Sequence, residues 1–222
     1  MQRLIILDTE TTGIDPKDGH RIIEIGCVEI INREVTNNQY QRYINPNKNV
    51  GDSMRIHGLS DKFLSDKPIF KEVVKSFLDF IKDDTLVIHN AGFDMGFLNN
   101  ELALLDLPPL KNPVIDTLEL SKKQHISSQH SLDALCRRYE IDKFERELHG
   151  ALLDSQILAE VYLAMTGGQK TLFETQTKEQ EAENNKIIRL DKNRPALNVI
   201  KANDEELANH NSYFKKINGV VS

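Results

Sequence analysis

Two acidic residues separated by one position stand where the first apolar segment of the chain becomes polar. Side chains alternate between the two faces of a strand, so Asp8 and Glu10 share one face and Thr9 points to the other. Two neighbouring carboxylates repel each other unless a cation lies between them. The pair therefore predicts a metal site or, more simply, a polar strand end that leads into the turn at Thr12 and Gly13.

Two later segments carry residues of the same kind. Asp94 follows another apolar segment and stands near the start of a predicted helix, where a carboxylate also interacts favourably with the helix dipole. His149 precedes Asp154 by five positions, which on one α-helix would place the two side chains roughly 140° apart. With Gly150 between them, we expect His149 on a loop and Asp154 in the second turn of the helix that follows.

Taken singly, each of these features has an ordinary structural explanation, but their combination matches a two-metal phosphodiester hydrolase. Such enzymes hold two Mg²⁺ or Mn²⁺ ions about 3.5–4 Å apart, which stabilise the attacking and leaving oxygens. Carboxylate oxygens suit these hard cations. Histidine titrates near neutral pH and can take a proton from the attacking water. The four carboxylates and the histidine therefore predict one catalytic centre.

The pattern of apolar residues predicts an α/β fold in which a mixed sheet is flanked by helices. An early group of strands is followed by alternating helices and strands, and this order is typical of that architecture. The predicted strands are residues 3–9, 21–32, 39–44 and 85–89, and the predicted helices are residues 68–82, 93–105, 131–139 and 151–165.

Composition narrows the function classes. A net charge of −6 and the lack of a long basic run argue against a non-specific cationic nucleic-acid binder, although bound cations could supply positive charge locally. The N-terminal sequence lacks the long apolar run of a signal peptide, and no segment approaches transmembrane length. Cys27 and Cys136 stand in separate apolar segments, which predicts buried thiols in a reducing compartment, and so a cytosolic protein.

Three motifs, LDTETTG, VIHNAGFD and LHGALLD, resemble those of the DEDD exonucleases, in the subclass with a histidine base. Further segments, including RIIEIGCVEIINR, SLDALCRRYEID and LLDSQILAEVYLAMTGGQ, closely resemble the proofreading (epsilon) subunits of bacterial DNA polymerase III. The resemblance covers nearly all of residues 1–173. It implies an RNase H-like exonuclease domain over residues 1–168, with a five-stranded mixed sheet, that shortens DNA 3′ ends and releases 5′-monophosphates.

The same resemblance assigns roles to the five residues of the predicted centre. Asp8, Glu10 and Asp154 match direct metal ligands that also contact the substrate, with Asp8 bridging both ions. Asp94 matches an acid that reaches its metal through water. His149 matches the general base.

Three outer positions are also implied by the resemblance. His57 matches a histidine that contacts the terminal nucleotide, and Asp52 aligns with a substrate-contacting glutamate. The backbone around Thr11 matches a segment that holds that nucleotide. Because a mismatched terminus costs less to unstack than a paired one, specificity for mispaired ends is expected to arise from fraying.

The end of the chain resembles partner-binding elements of the same family. In residues 169–173, Gln169, Leu172 and Phe173 match the peptide that docks in the groove of the bacterial sliding clamp, although Lys170 departs from its frequent aliphatic second position. Residues 174–185 are polar and predict a flexible linker. Residues 186–222 resemble the segment that binds the polymerase (alpha) subunit, with a short helix beginning near residue 203. A small accessory subunit on the exonuclease domain is left open.

Three other functions compete with proofreading. An RNA-trimming exonuclease would share the catalytic residues but not the clamp-like peptide and the tail. A scaffold subunit of the polymerase–clamp assembly would not need an intact acidic set. A metal-dependent phosphotransferase is disfavoured because the sequence lacks a glycine-rich phosphate-binding loop.

Overall fold

The computed structural model describes residues 2–126, 129–141, 149–167 and 203–218, with side chains of the last segment described to residue 212. The chain divides into two compact units, residues 1–170 and residues 171–222. The predicted clamp peptide (169–173) and linker (174–185) lie outside the described residues, as does most of the predicted tail (186–222).

The first unit contains a mixed sheet of five strands in the order β3-β2-β1-β4-β5. Strand β1 is central: it pairs antiparallel with β2 and parallel with β4, while β3 and β5 form the edges. The predicted five-stranded mixed sheet is thus confirmed. The strands are β1 (Arg3–Thr11), β2 (Ile22–Ile31), β3 (Glu34–Tyr43), β4 (Thr85–Ile88) and β5 (Val114–Asp116).

Helices cover both faces of the sheet, and a further helix is described in the second unit. Short 3₁₀ turns occur at Pro16–Asp18 and Gly51–Ser53. The helices of the first unit are α1 (Met54–His57), α2 (Asp61–Leu64), α3 (Phe70–Ile81), α4 (Ala91–Ala103), α5 (Thr117–Gln124), α6 (Leu132–Arg138) and α7 (Ala151–Thr166), and that of the second unit is α8 (Asp204–Asn218).

The alternation of side chains along β1 decides what each face of the sheet can position. Ile5 and Leu7 pack in a core cluster with residues of α3 and α4. Leu4 and Ile6 point the other way and pack with residues of α7. By the period of two, Asp8 and Glu10 share the α7 face, and Thr9 shares the α3/α4 face.

Several sequence-based boundaries need correction. Strand β1 extends through Thr11, so Asp8 lies inside the strand rather than at its end. Strand β3 begins at Glu34, five residues earlier than predicted, because its first half is an exposed edge without apolar alternation. Asp154 lies in the first turn of α7, not the second, because the helix begins directly after Gly150.

Two smaller predictions are met. Cys27 and Cys136 are both buried, and neither forms a disulfide. Helix α8 begins where expected, and Asn203 and Glu206 form a reciprocal cap in which each side chain accepts a hydrogen bond from the other residue's backbone N–H. Within the described residues, no helix combines the length and apolar character needed to cross a membrane.

Candidate active site

Strand β1 and helix α7 bring three of the five predicted residues into one group. Glu10, His149 and Asp154 each offer a ligand atom, and these atoms all lie within 4.8 Å of one another. Glu10 is 9% exposed and Asp154 is 4% exposed, so both carboxylates are largely withdrawn from water. The two acids meet because Glu10 lies on the face of β1 that α7 covers.

His149 stands on the loop before α7, as the glycine after it predicted. Its Nδ1 lies 3.2 Å from Oδ2 of Asp154, and its side chain is 49% exposed. Its backbone N–H donates a 3.1 Å hydrogen bond to the carbonyl of Ile56 in α1. The ring is therefore oriented by an acid on one side and remains accessible to a substrate on the other.

A cavity of about 410 Å³ opens beside this group, and Asp8 lies in its wall. Asp8 does not belong to the group of three itself. The cavity is therefore a cleft lined by two acids and two histidines, wide enough to admit part of a nucleotide chain. Its lining residues are Asp8, His89, Asn90, Leu118, Ser131, Leu132, His149 and Asp154.

Glu10 lines a second pocket, which is smaller and more apolar, with a volume of about 160 Å³. Its walls include Thr11, His57 and Phe93. The pairing of β1 with β2 shifts register between Glu10 and Thr11, and both residues line this pocket. The predicted positions His57 and Thr11 thus lie beside Glu10.

His57 is held as a neutral ring by its neighbours. The backbone N–H of Leu59 donates a 3.0 Å hydrogen bond to Nδ1, so the ring proton is on Nε2, which lies 3.0 Å from the hydroxyl of Ser53. That hydroxyl in turn donates to the carbonyl of Val50 at 2.6 Å. Burial lowers the pKa of His57, which favours the same neutral form.

Asp52 lies outside both pockets. Its side chain is 95% exposed, and its nearest ionic partner is Arg55 at 3.7 Å. The structure therefore does not bring Asp52 to the residues with which the sequence grouped it.

Asp94 is buried beside strand β1. It stands in the first turn of α4, is 3% exposed, and accepts a 2.7 Å hydrogen bond from the hydroxyl of Thr9. Burial raises the pKa of Asp94 to about 7, against the opposing effects of the Thr9 hydroxyl and of backbone amides. Asp94 thus contacts the strand that carries Asp8 and Glu10, but it does not belong to the group of Glu10, His149 and Asp154.

Two carboxylates that the sequence did not single out hold the helices of the site. Asp116, at the end of β5, accepts hydrogen bonds from the backbone N–H groups of Asn90 and Ala91 at 3.1 and 3.0 Å, where α4 begins. Glu24, in β2, accepts one from the N–H of Ala151, where α7 begins, at 3.2 Å. Neither role is visible in the sequence, because each depends on which strand end lies beside which helix.

The charge on the α7 face fits divalent cations. Glu24 lies directly opposite Glu10 in the antiparallel register, and Asp8 stands two residues before Glu10 on the same face. Carboxylates at directly opposed positions destabilise a sheet unless their charge is compensated. Burial raises the pKa of Glu24, and the nearby negative charge of Asp154 raises it further. A cluster of oxygen donors with this surplus negative charge is the donor set that Mg²⁺ and Mn²⁺ prefer.

Comparisons with known proteins agree with this geometry. A model of the exonuclease family named RNase_T matches residues 5–162. The chain is 46% identical to the DNA polymerase III subunit epsilon of Rickettsia typhi, over 97% of this chain and 96% of the relative. It is 49% identical to the protein of that name in Salmonella typhimurium, over 95% and 91%.

Among solved structures, the fold is similar to the nuclease domain of 3′hExo, a DEDDh family member bound to rAMP. The TM-score is 0.65 at 23% identity, and the match covers 74% of this chain and 91% of that one. The RNase H-like fold expected from the sequence is thereby confirmed.

Proposed function

We propose how the residues of this chain carry out 3′→5′ hydrolysis of DNA, since the chain belongs to the exonuclease family and, within it, to the epsilon subunits of DNA polymerase III. The protein is a 3′→5′ DNA exonuclease that proofreads replication by removing mispaired 3′-terminal nucleotides. The single observation that carries the assignment of residues is the group of Glu10, His149 and Asp154, whose ligand atoms lie within 4.8 Å of one another.

The metal ligands in this proposal are the acids of the α7 face. Asp8, Glu10 and Asp154 would hold two divalent cations, Mg²⁺ or Mn²⁺, and Asp94 would support one of them through water. When bound, such cations neutralise phosphate charge and stabilise the attacking and leaving oxygens. The buried positions of Glu10 and Asp154 favour this role, because a buried carboxylate without compensation is costly.

His149 is the general base. Because Nδ1 lies against the carboxylate of Asp154, the neutral ring carries its proton there and presents the lone pair of Nε2. Nε2 takes a proton from water as the water oxygen bonds to the terminal phosphorus. The bond between that phosphorus and the 3′ oxygen of the preceding nucleotide breaks. The 3′ oxygen keeps the bonding electron pair and takes a proton from solvent, and a deoxynucleoside 5′-monophosphate leaves.

The two pockets bind different parts of the DNA substrate. The apolar pocket beside Glu10, with His57, Thr11 and Phe93 in its walls, receives the terminal nucleotide. The cleft lined by Asp8 and His149 receives the chain that precedes it. A pocket of about 160 Å³ has no room for a base pair, so the end must melt before cleavage and mismatched ends are cut faster.

The remaining regions are assigned as in the sequence prediction. The sliding clamp binds the peptide of residues 169–173 through Gln169, Leu172 and Phe173. The polymerase alpha subunit binds residues 186–222, and the linker of residues 174–185 joins the two segments. A linker of this kind keeps the nuclease at high local concentration near the primer end.

A digestion assay tests the proposal. With Mg²⁺ or Mn²⁺, the protein is expected to shorten 3′-mismatched and single-stranded DNA faster than paired DNA, and EDTA should stop it. Combined Asp8→Ala and Glu10→Ala substitutions should abolish hydrolysis while leaving binding to the polymerase subunit intact. Equal rates on frayed and paired ends would contradict the fraying mechanism, and a strong preference for short RNA would favour an RNA-trimming enzyme.

A further inference from the structure

Glu24 occupies a central place beside the proposed site, yet it is not among the predicted ligands. It is 2% exposed and lies directly opposite Glu10 in the pairing of β1 with β2. One carboxylate oxygen, Oε1, accepts a 2.7 Å hydrogen bond from the amide of Gln41. The other, Oε2, accepts the backbone N–H of Ala151 at 3.2 Å. The side chain thus bridges β3 and the first residue of α7.

The start of α7 needs an acceptor from elsewhere in the chain. The N-cap residue is Gly150, which has no side chain with which to accept the first amides of the helix. Glu24 supplies a charged acceptor there, and a negative charge at a helix N-terminus also interacts favourably with the helix dipole. A strand residue distant in sequence thus performs the capping role that a local serine or aspartate usually has.

The same turn of α7 lies in direct contact with β2. A Cβ atom added at Gly26 would come within 2.2 Å of the backbone of Ala151, so the helix packs against the strand at a glycine. Ser155 donates a 3.0 Å hydrogen bond to the carbonyl of Gly26. Asp154 stands between these anchors, and its own N–H donates to the carbonyl of Gly150 at 2.8 Å. The position of Asp154 relative to β1 is therefore set by how this turn sits on β2.

We propose that Glu24 is a positioning residue of the nuclease: by holding the first turn of α7 against β2, it sets the distances of Asp154 and His149 from Glu10. This inference rests on the proposed function in so far as Asp154 is a metal ligand. In this assignment the two oxygens of Glu24 accept hydrogen bonds from Ala151 and Gln41, and Glu24 is not a member of the group that could hold a cation.

Two conservative variants separate the reach of the side chain from its charge. Glu24→Gln keeps the length and one acceptor oxygen for Ala151 but removes the charge, and Gln41 can turn its amide to match. Glu24→Asp keeps the charge but is one methylene shorter, so it does not reach Ala151. A positioning role predicts that the Gln variant resembles the wild type and that the Asp variant is defective. A role as a metal ligand predicts the reverse order.

Arg33 provides a matched control at the opposite end of the same helix. Its guanidinium donates hydrogen bonds to the Thr166 hydroxyl at 3.0 Å and to the Leu163 carbonyl at 2.9 Å. Arg33→Ala therefore loosens the C-terminal turn of α7 without touching its first turn. It separates a general loss of helix stability from a local displacement of the site.

The experiment uses the full chain and three measurements. These are amide hydrogen exchange at Ala151 and Leu152, Mn²⁺ binding to DNA-free protein followed by electron paramagnetic resonance, and kcat and KM on single-stranded DNA. For Glu24→Asp we expect exchange at least tenfold faster, a Kd for Mn²⁺ about fivefold higher, and a kcat at least tenfold lower with KM within twofold. For Glu24→Gln and Arg33→Ala, the Kd and kcat should stay within about threefold of the wild type.

The proposal is overturned if Glu24→Asp leaves exchange and Mn²⁺ binding unchanged, or if Glu24→Gln is the more defective of the two. It is also overturned if Arg33→Ala shifts the Kd as much as Glu24→Asp does. Hydrogen exchange reports the cap without any catalysis. A wild-type protein that lacked nuclease activity while exchange still responded to Glu24→Asp would refute the proposed function and leave the structural role of Glu24 in place.

Discussion

The hydroxyl of Thr9 donates a 2.7 Å hydrogen bond to the carboxylate of Asp94 across 85 positions of the sequence. Both residues are at least 95% buried. Because Thr9 lies between Asp8 and Glu10 on β1, this bond joins the strand of the acid pair to the first turn of α4. Thr9, the middle residue of the acidic motif, therefore orients Asp94 from the face of the sheet opposite to that of Asp8 and Glu10.

Replacing Thr9 by Val tests whether this hydrogen bond orients Asp94. Valine has nearly the same shape but cannot donate to Asp94, and a lost hydrogen bond to a charged group costs about 1.5–3 kcal/mol. Partners that orient the residues of a metal site typically change activity by about 10–100-fold when removed. We expect kcat to fall about tenfold, measured on single-stranded DNA with Mn²⁺, whereas Thr9→Ser, which keeps the hydroxyl, should stay within threefold. Equal activity of the Val and Ser variants would exclude an orienting role.

Asp94 also makes stability depend on pH in the metal-free protein. Its pKa is raised from the ordinary value of 3.8 to about 7, chiefly by burial. Between these values the unfolded chain releases the proton while the folded chain keeps it, so the contribution to stability is full below about pH 4 and is lost as the pH rises to 7.

Asp94→Asn removes this dependence, because asparagine stays neutral and its carbonyl still accepts from Thr9. In EDTA, the difference in Tm between variant and wild type should become more positive from pH 5 to pH 8. The expected change is on the order of 2 kcal/mol, or roughly 5 °C for a domain of this size. A difference that is the same at both pH values would contradict a raised pKa for Asp94. Thermal unfolding at several pH values supplies the measurement.

The candidate residues Asp8, Glu10, His149 and Asp154 could be grouped from the sequence because their relationships along the chain are local. Asp8 and Glu10 share a face by the alternation of a strand alone, and Gly150 separates His149 from the helix of Asp154. The placement of Asp94 could not be obtained in this way. It depends on α4 covering the face of β1 that carries Thr9, and this follows from the topology of the sheet.

Glu24 and Asp116, which hold the first turns of α7 and α4, could not be predicted from the sequence for a related reason. Glu24 looks like an ordinary polar position in an apolar strand, and only the β1–β2 register places it opposite Glu10. The 3-residue strand β5, which carries Asp116, is too short to give a periodic signal. The long elements with clear apolar periodicity, such as α3 and α7, were predicted to within a few residues because burial of one face determines them.

His57 offers a test of the smaller pocket. His57→Asn keeps an acceptor for the Leu59 N–H but removes the imidazole ring from the pocket wall and the Nε2 hydrogen bond that holds the Ser53 hydroxyl there. We expect kcat/KM on single-stranded DNA to fall about tenfold. Asp52→Ala is the comparison, and its effect should stay within twofold because that side chain is 95% exposed and lies outside the pocket. A larger effect at Asp52 than at His57 would reverse this assignment and restore the substrate contact expected from the sequence.

The clamp peptide is tested by changing its anchors and leaving the nuclease intact. Two adjacent apolar side chains supply most of the contact in a hydrophobic groove, so Leu172→Ala with Phe173→Ala should weaken binding to the sliding clamp at least tenfold. Digestion of single-stranded DNA should be unchanged, because the proposed site lies within residues 8–154. Lys170→Leu places an aliphatic residue at the second position of the peptide and should strengthen clamp binding several-fold. Surface plasmon resonance on immobilised clamp measures both changes, and equal affinity of all three proteins would remove residues 169–173 from the interface.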